Sequence, residues 1–81
     1  MAENKKSEGS FELKVNRNTS PEEAARLALK QERKAREYYE ECAKIMQNPG
    51  AKKMFEFLAE EERKHEALIQ KEIDENFLSE M

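Results

Sequence analysis

The sequence is short of most features that would mark a binding or catalytic module at sight. It contains no tryptophan, one cysteine, two glycines and two prolines in 81 residues. With Cys42 alone, an intramolecular disulfide and every paired-cysteine metal or redox motif are excluded. So little glycine and proline leaves few breakers, which favours long helices. No apolar run approaches the roughly twenty residues needed to span a bilayer. The start, Met1-Ala2-Glu3-Asn4-Lys5-Lys6, lacks the apolar stretch of a secretory signal, so a cytoplasmic location is expected. Fifteen basic and eighteen acidic residues give a net charge of −3. They are interspersed, so there is no basic footprint for nucleic acid and no attraction to an anionic membrane.

What is present is charge and helical periodicity. Charged residues make up 41% of the chain and hydrophobic residues 37%, which suits a soluble helical protein of one domain. A chain this short buries little apolar surface alone, so oligomerisation or a metal is expected to support it. Residues 1–19 read as a flexible N-terminal arm. Within it, Phe11-Glu12-Leu13-Lys14-Val15 alternates with period two, too briefly to stand as a strand.

Residues 20–77 form the helical region. Ser20-Pro21-Glu22-Glu23 is a strong helix start, with a serine cap, proline in the first turn and glutamate three residues after the cap. The first helix is expected over about 21–47. On its wheel Ala25, Ala28, Glu32, Ala35, Tyr39, Cys42 and Met46 follow alternating steps of three and four, and Leu27, Tyr38 and Ile45 widen the apolar arc on one flank. Asn48-Pro49-Gly50 breaks the pattern and caps a second helix over about 50–76. The seam of that helix is Ala51, Phe55, Leu58, Glu62, His65, Ile69, Ile73 and Asn76, flanked by Phe57 and Leu68. So short a connection makes the two helices antiparallel neighbours.

Both apolar arcs cover roughly 200° of the wheel, against little more than 100° for a helix facing one neighbour. The fold class is therefore all-α: a two-helix antiparallel hairpin that dimerises into a four-helix bundle, as a two-fold homodimer or within a higher ring.

Three polar residues interrupt the seams. Glu32 lies 16 residues before Asn48, while Glu62 and His65 lie 14 and 17 residues after it. At 1.5 Å per residue these are about 24, 21 and 25 Å from the turn, the same level. Two hairpins would bring four carboxylates and two imidazoles together. That is the ligand set of a di-iron or di-manganese carboxylate site in a bundle, one Glu from each of two helices and Glu-x-x-His from each of the other two. Such ligands suit iron or manganese, with zinc as a further substitute, better than a closed structural zinc site. The same residues also admit blander readings. Glu-x-x-His is common by chance in a Glu-rich helix, two inward glutamates can share a proton, and His65 can pair with Glu32. Tyr39, one heptad from Glu32, is either a hydrogen-bonding neighbour of a ligand carboxylate or a plain core aromatic. Glu61 and Glu66 flank the stripe and read as solvated or ion-paired.

The segment from Ala28 to Ile69 resembles one half of a rubrerythrin domain of the ferritin-like superfamily. The likeness is carried by Gln31-Glu32-Arg33-Lys34-Ala35-Arg36-Glu37-Tyr38-Tyr39 and by Phe57-Leu58-Ala59-Glu60-Glu61-Glu62-Arg63-Lys64-His65. It implies that Glu32, Glu62 and His65 are iron ligands and the catalytic residues. Rubrerythrins carry four bundle helices in one chain and usually a rubredoxin domain with paired cysteines, which this chain lacks. It is closer to the encapsulated ferritins, whose two-helix subunits dimerise around a shared di-iron ferroxidase site. That resemblance implies an oxidoreductase that oxidises Fe(II) at two iron ions per dimer, with Tyr39 as an aromatic beside the site. It also implies a ring housed in an encapsulin shell, although the C-terminal targeting tail such proteins usually carry is not evident before Met81. A rubrerythrin-like peroxide-reducing or redox protein and a metal-free helical assembly module are the alternatives.

Overall fold

A computed structural model describes residues 15–78. The alternating segment falls almost wholly on residues 11–14, which with the rest of the arm up to residue 14 lie outside the described residues. Two helices follow, α1 (Pro21–Ile45) and α2 (Pro49–Ile73), and the chain continues from α2 into a π-helical turn, Asp74–Leu78. The helices pack on each other as an antiparallel hairpin, and no strand occurs among the described residues. No helix there is long and apolar enough to cross a membrane.

The helix ends follow from local chemistry. Ahead of α1, the Asn16 and Thr19 side chains fold residues 16–19 into a turn, accepting from Asn18 N at 2.7 Å and Asn16 N at 2.8 Å. Ser20 Oγ then accepts from Glu23 N at 3.0 Å, satisfying one of the free donors of the first turn, with Pro21 directly behind the cap. At the other end the demands of α2 stop α1. Asn48 caps α2 through Oδ1, which accepts from Ala51 N at 2.9 Å, and both Asn48 and Met46 take extended backbone angles. A residue before proline resists the helical conformation. The first helix therefore ends at Ile45, two residues before the boundary read from periodicity. Lys52 reaches back from α2 and donates to the Ala43 carbonyl at 2.7 Å, so the second helix also closes the C-terminus of the first.

Burial within the hairpin is narrower than the apolar arcs. The buried residues are Leu29, Cys42 and Ala43 in α1, and Ala59 and Ile73 in α2. Leu29 and Ala43 are two heptads apart, as are Ala59 and Ile73, and the midpoints of these spans are Arg36 and Glu66. The line of helix contact thus runs through a charged pair, taken up below. On the other flank Tyr38, Ile45, Met54, Phe57 and Leu68 stay exposed. The hairpin buries one side of each arc and leaves the other bare. Among the described residues Ile73 is the one large side chain fully enclosed. Ile73→Ala is therefore expected to cost about 2–5 kcal/mol, a large fraction of what so small a fold possesses. Urea unfolding followed by helical circular dichroism measures it. By contrast, Ile45→Ala, at an exposed position, should change the stability of the single hairpin by less than about 1 kcal/mol.

Candidate metal centre

Glu32 sits midway along α1, and Glu62 and His65 sit one turn apart on α2. The antiparallel packing brings all three to one level. One ligand atom from each lies within 4.8 Å of the others. His65 Nδ1 is 3.3 Å from Glu32 Oε1 and 3.4 Å from Glu62 Oε1. Only the first of these contacts has hydrogen-bonding geometry. Glu62 Oε1 is buried and has no hydrogen-bond partner.

The cluster is electrostatically unfinished. Two carboxylates and one imidazole leave it net negative even with His65 protonated. The Glu32 carboxylate, and burial after it, push the Glu62 carboxyl above the usual carboxylate range, while His65 draws it partly back. Glu32, with Glu62 behind it, likewise raises the pKa of His65 against the opposing pull of burial. A buried carboxylate oxygen without a donor costs free energy unless something positive binds it. Two oxygen donors and one nitrogen donor, with an orphaned oxygen among them, match a divalent cation of the iron or manganese type. The residues present fit such an ion.

Exposure is unequal across the three. The Glu62 side chain is 16% exposed, whereas that of His65 is 52% exposed. The wheel placed both on the inward stripe, but the contact line between the helices passes through residues 59, 66 and 73 instead. His65 is consequently at the margin of the hairpin, on the side where the uncovered apolar flank begins. One hairpin therefore presents His65, and Glu32 in part, outward while Glu62 stays shielded between them.

The neighbours of the cluster are only partly those the sequence singles out. Tyr39 is partly buried and packs against Phe55, with ring centroids 6.1 Å apart, and against Tyr38 at 5.8 Å. The contacts that place it are aromatic. Glu61 pairs with Lys64 at 3.3 Å within its own helix. Glu66 is held by Arg36 Nε at 2.5 Å, with Arg33 Nε further off at 3.7 Å. Arg36 also donates to Glu40 at 3.1 Å, and Glu40 accepts from Arg63 at 2.7 Å. Apolar periodicity does not mark Arg36, although a signal for it exists. It follows Glu32 by one turn, as Glu66 follows Glu62, and the two carry opposite charge.

Comparison with known proteins returns one family. The family model described as Rubrerythrin matches residues 23–81, a span that contains Glu32, Glu62 and His65. No curated protein and no solved structure matches the chain.

Proposed function

The chain belongs to the rubrerythrin family, and from that premise we propose that two hairpins associate through their bare apolar flanks to form a four-helix di-iron protein that oxidises Fe(II). The observation that carries this reading is the convergence of Glu32, Glu62 and His65 around a buried, unpartnered carboxylate oxygen. Membership of the family supports a di-iron carboxylate site, and the uncovered Tyr38, Met54, Phe57 and Leu68 support a second copy beside the cluster. A dyad then doubles the ligand set to four carboxylates and two imidazoles, which holds two irons. A ligand set divided between two two-helix chains would be an assembly of the encapsulated-ferritin kind.

In this reading Glu32 and Glu62 would hold the metals through carboxylate oxygens and His65 through a ring nitrogen, its Nδ1 being the atom that faces both carboxylates. Their negative charge favours the higher oxidation state and so lowers the cost of electron loss. Two Fe(II) ions, when bound there, would supply two electrons to dioxygen or to peroxide. The protein's part is to keep the ligands in register, to accommodate the change in charge, and to exclude bulk water once the apolar flanks are joined.

The family match also favours a second reading, a peroxide-reducing protein supplied with electrons by a donor of its own. The oxidant separates the two. Anaerobic Fe(II)-loaded protein mixed with dioxygen in a stopped-flow instrument should develop Fe(III) absorbance at a rate that His65→Ala suppresses. If peroxide oxidises the loaded protein rapidly and dioxygen does not, the second reading replaces the first.

A further inference from the structure

We infer that Arg36 and Glu66 are positioning residues for the metal ligands: their ion pair across the hairpin fixes the rotation of α2 that presents Glu62 and His65 to Glu32. This inference rests on the metal-binding reading above and concerns residues outside the ligand set.

The geometry is specific. Arg36 Nε approaches Glu66 Oε2 to 2.5 Å, and this contact joins α1 to α2. The pair is well shielded, with side-chain exposures of 23% and 15%. Its members occupy the midpoints of the buried heptad lines, between Leu29 and Ala43 on α1 and between Ala59 and Ile73 on α2. They are also one turn from the ligands, since Arg36 follows Glu32 by four residues and Glu66 follows Glu62 by four and His65 by one.

A hydrophobic residue at either midpoint would pack the helices together but leave their rotation loosely set. Apolar contacts are non-directional, whereas a charge-assisted hydrogen bond from the arginine Nε to a carboxylate fixes direction as well as distance. The tie on α1 is itself braced, because Arg36 Nη1 donates to both Glu40 oxygens, at 3.1 and 3.3 Å. Rotation matters because the ligand atoms are far from the helix axis. At a radius of about 6 Å, turning α2 by about 10° moves a ligand atom by about 1 Å, beyond the tolerance of roughly 0.5 Å for a preorganised site. The apo cluster also repels itself, two carboxylates being brought together, so some contact must hold Glu62 against that repulsion. Arg36–Glu66 is the better shielded of the cross-helix pairs placed to do so, with Arg63–Glu40 beside it at 2.7 Å.

The test separates positioning from simple support of the fold. Replacing both partners, Arg36→Met with Glu66→Met, removes the tie without leaving a lone charge in the helix contact. Such a replacement of a shielded ion pair is usually neutral or stabilising. Thermal melts in chelator should therefore show the double variant at least as stable as wild type. Co(II) titration, followed by the visible ligand-field bands, should show affinity weaker by on the order of tenfold or more, with an altered spectrum. Arg36→Lys keeps the charge but loses the planar guanidinium that joins Glu66 to Glu40, and should fall between wild type and the double variant in affinity. It supplies the same reading if the double variant fails to fold. Wild-type affinity and spectrum in whichever variants fold would overturn the inference. A wild-type protein without saturable Co(II) binding would instead overturn the metal-binding reading beneath it.

Discussion

Glu62→Ala should abolish saturable Fe(II) binding and, in the same protein, make the metal-free hairpin more stable. The two effects have one cause. Glu62 Oε1 is buried without a partner, and the adjoining Glu32 carboxylate makes its charge more costly still. Deleting the side chain removes an unsatisfied acceptor and a like-charge contact, worth on the order of 1 kcal/mol of stability in the absence of metal. Alanine is also a good helix former, so the backbone gives nothing back. The loss of iron affinity should exceed the 10–100-fold typical of losing a mere supporting partner, because a donor atom itself is gone; roughly a thousandfold is expected. Melting in chelator and anaerobic calorimetry with Fe(II) measure the two effects separately. A residue whose removal stabilises the fold and destroys binding is kept for function at the expense of stability. A variant that melts earlier than wild type and still binds iron would show that Glu62 is a structural residue.

Phe57→Lys should convert the assembled protein to monomeric hairpins and, through that change alone, remove stoichiometric iron binding. Phe57 lies on the bare flank and is 60% exposed in the single hairpin, so its replacement should leave the helical content unchanged. In the assembly the same position loses about 2–3 kcal/mol of apolar burial and gains a charge that must be desolvated. The dissociation constant should rise by at least about a hundredfold. Phe57 is more than a turn from Glu62, so the cluster within each hairpin stays intact. Sedimentation velocity with and without Fe(II) reads the association directly. A monomeric Phe57→Lys protein that still takes up iron with wild-type affinity would place the whole site within one chain.

Much of this arrangement was legible in the sequence, and the parts that were not share a physical reason. Ser20 and Asn48 announced the helix starts because a capping side chain acts over three residues, well within reach of local pattern. Glu32, Glu62 and His65 could be brought to one level by counting from the turn, because helix rise is constant. The line of contact between the helices was not legible. Each apolar arc is wider than one neighbour can cover, and a wheel does not say which part of it faces the partner helix. Leu29 is buried for that reason, and His65 emerges at the margin rather than inside. Glu66 read as solvated or ion-paired and is ion-paired, but its partner Arg36 was not legible because charged residues read as surface, although long side chains that pair can occupy a helix contact. The π-helical turn at Asp74–Leu78 has no signal in hydrophobic periodicity, which does not distinguish it from another turn of α2.

The most direct test of the central claim, that the metal site is shared between two copies of the chain, is an anaerobic Fe(II) titration with mass and metal content determined together across a sizing column. The expected result is saturation at one iron per chain, with the iron confined to dimers or larger assemblies and absent from monomers. Assembly that proceeds identically without iron and shows no saturable binding, or a monomer that carries its full complement of metal, would contradict it.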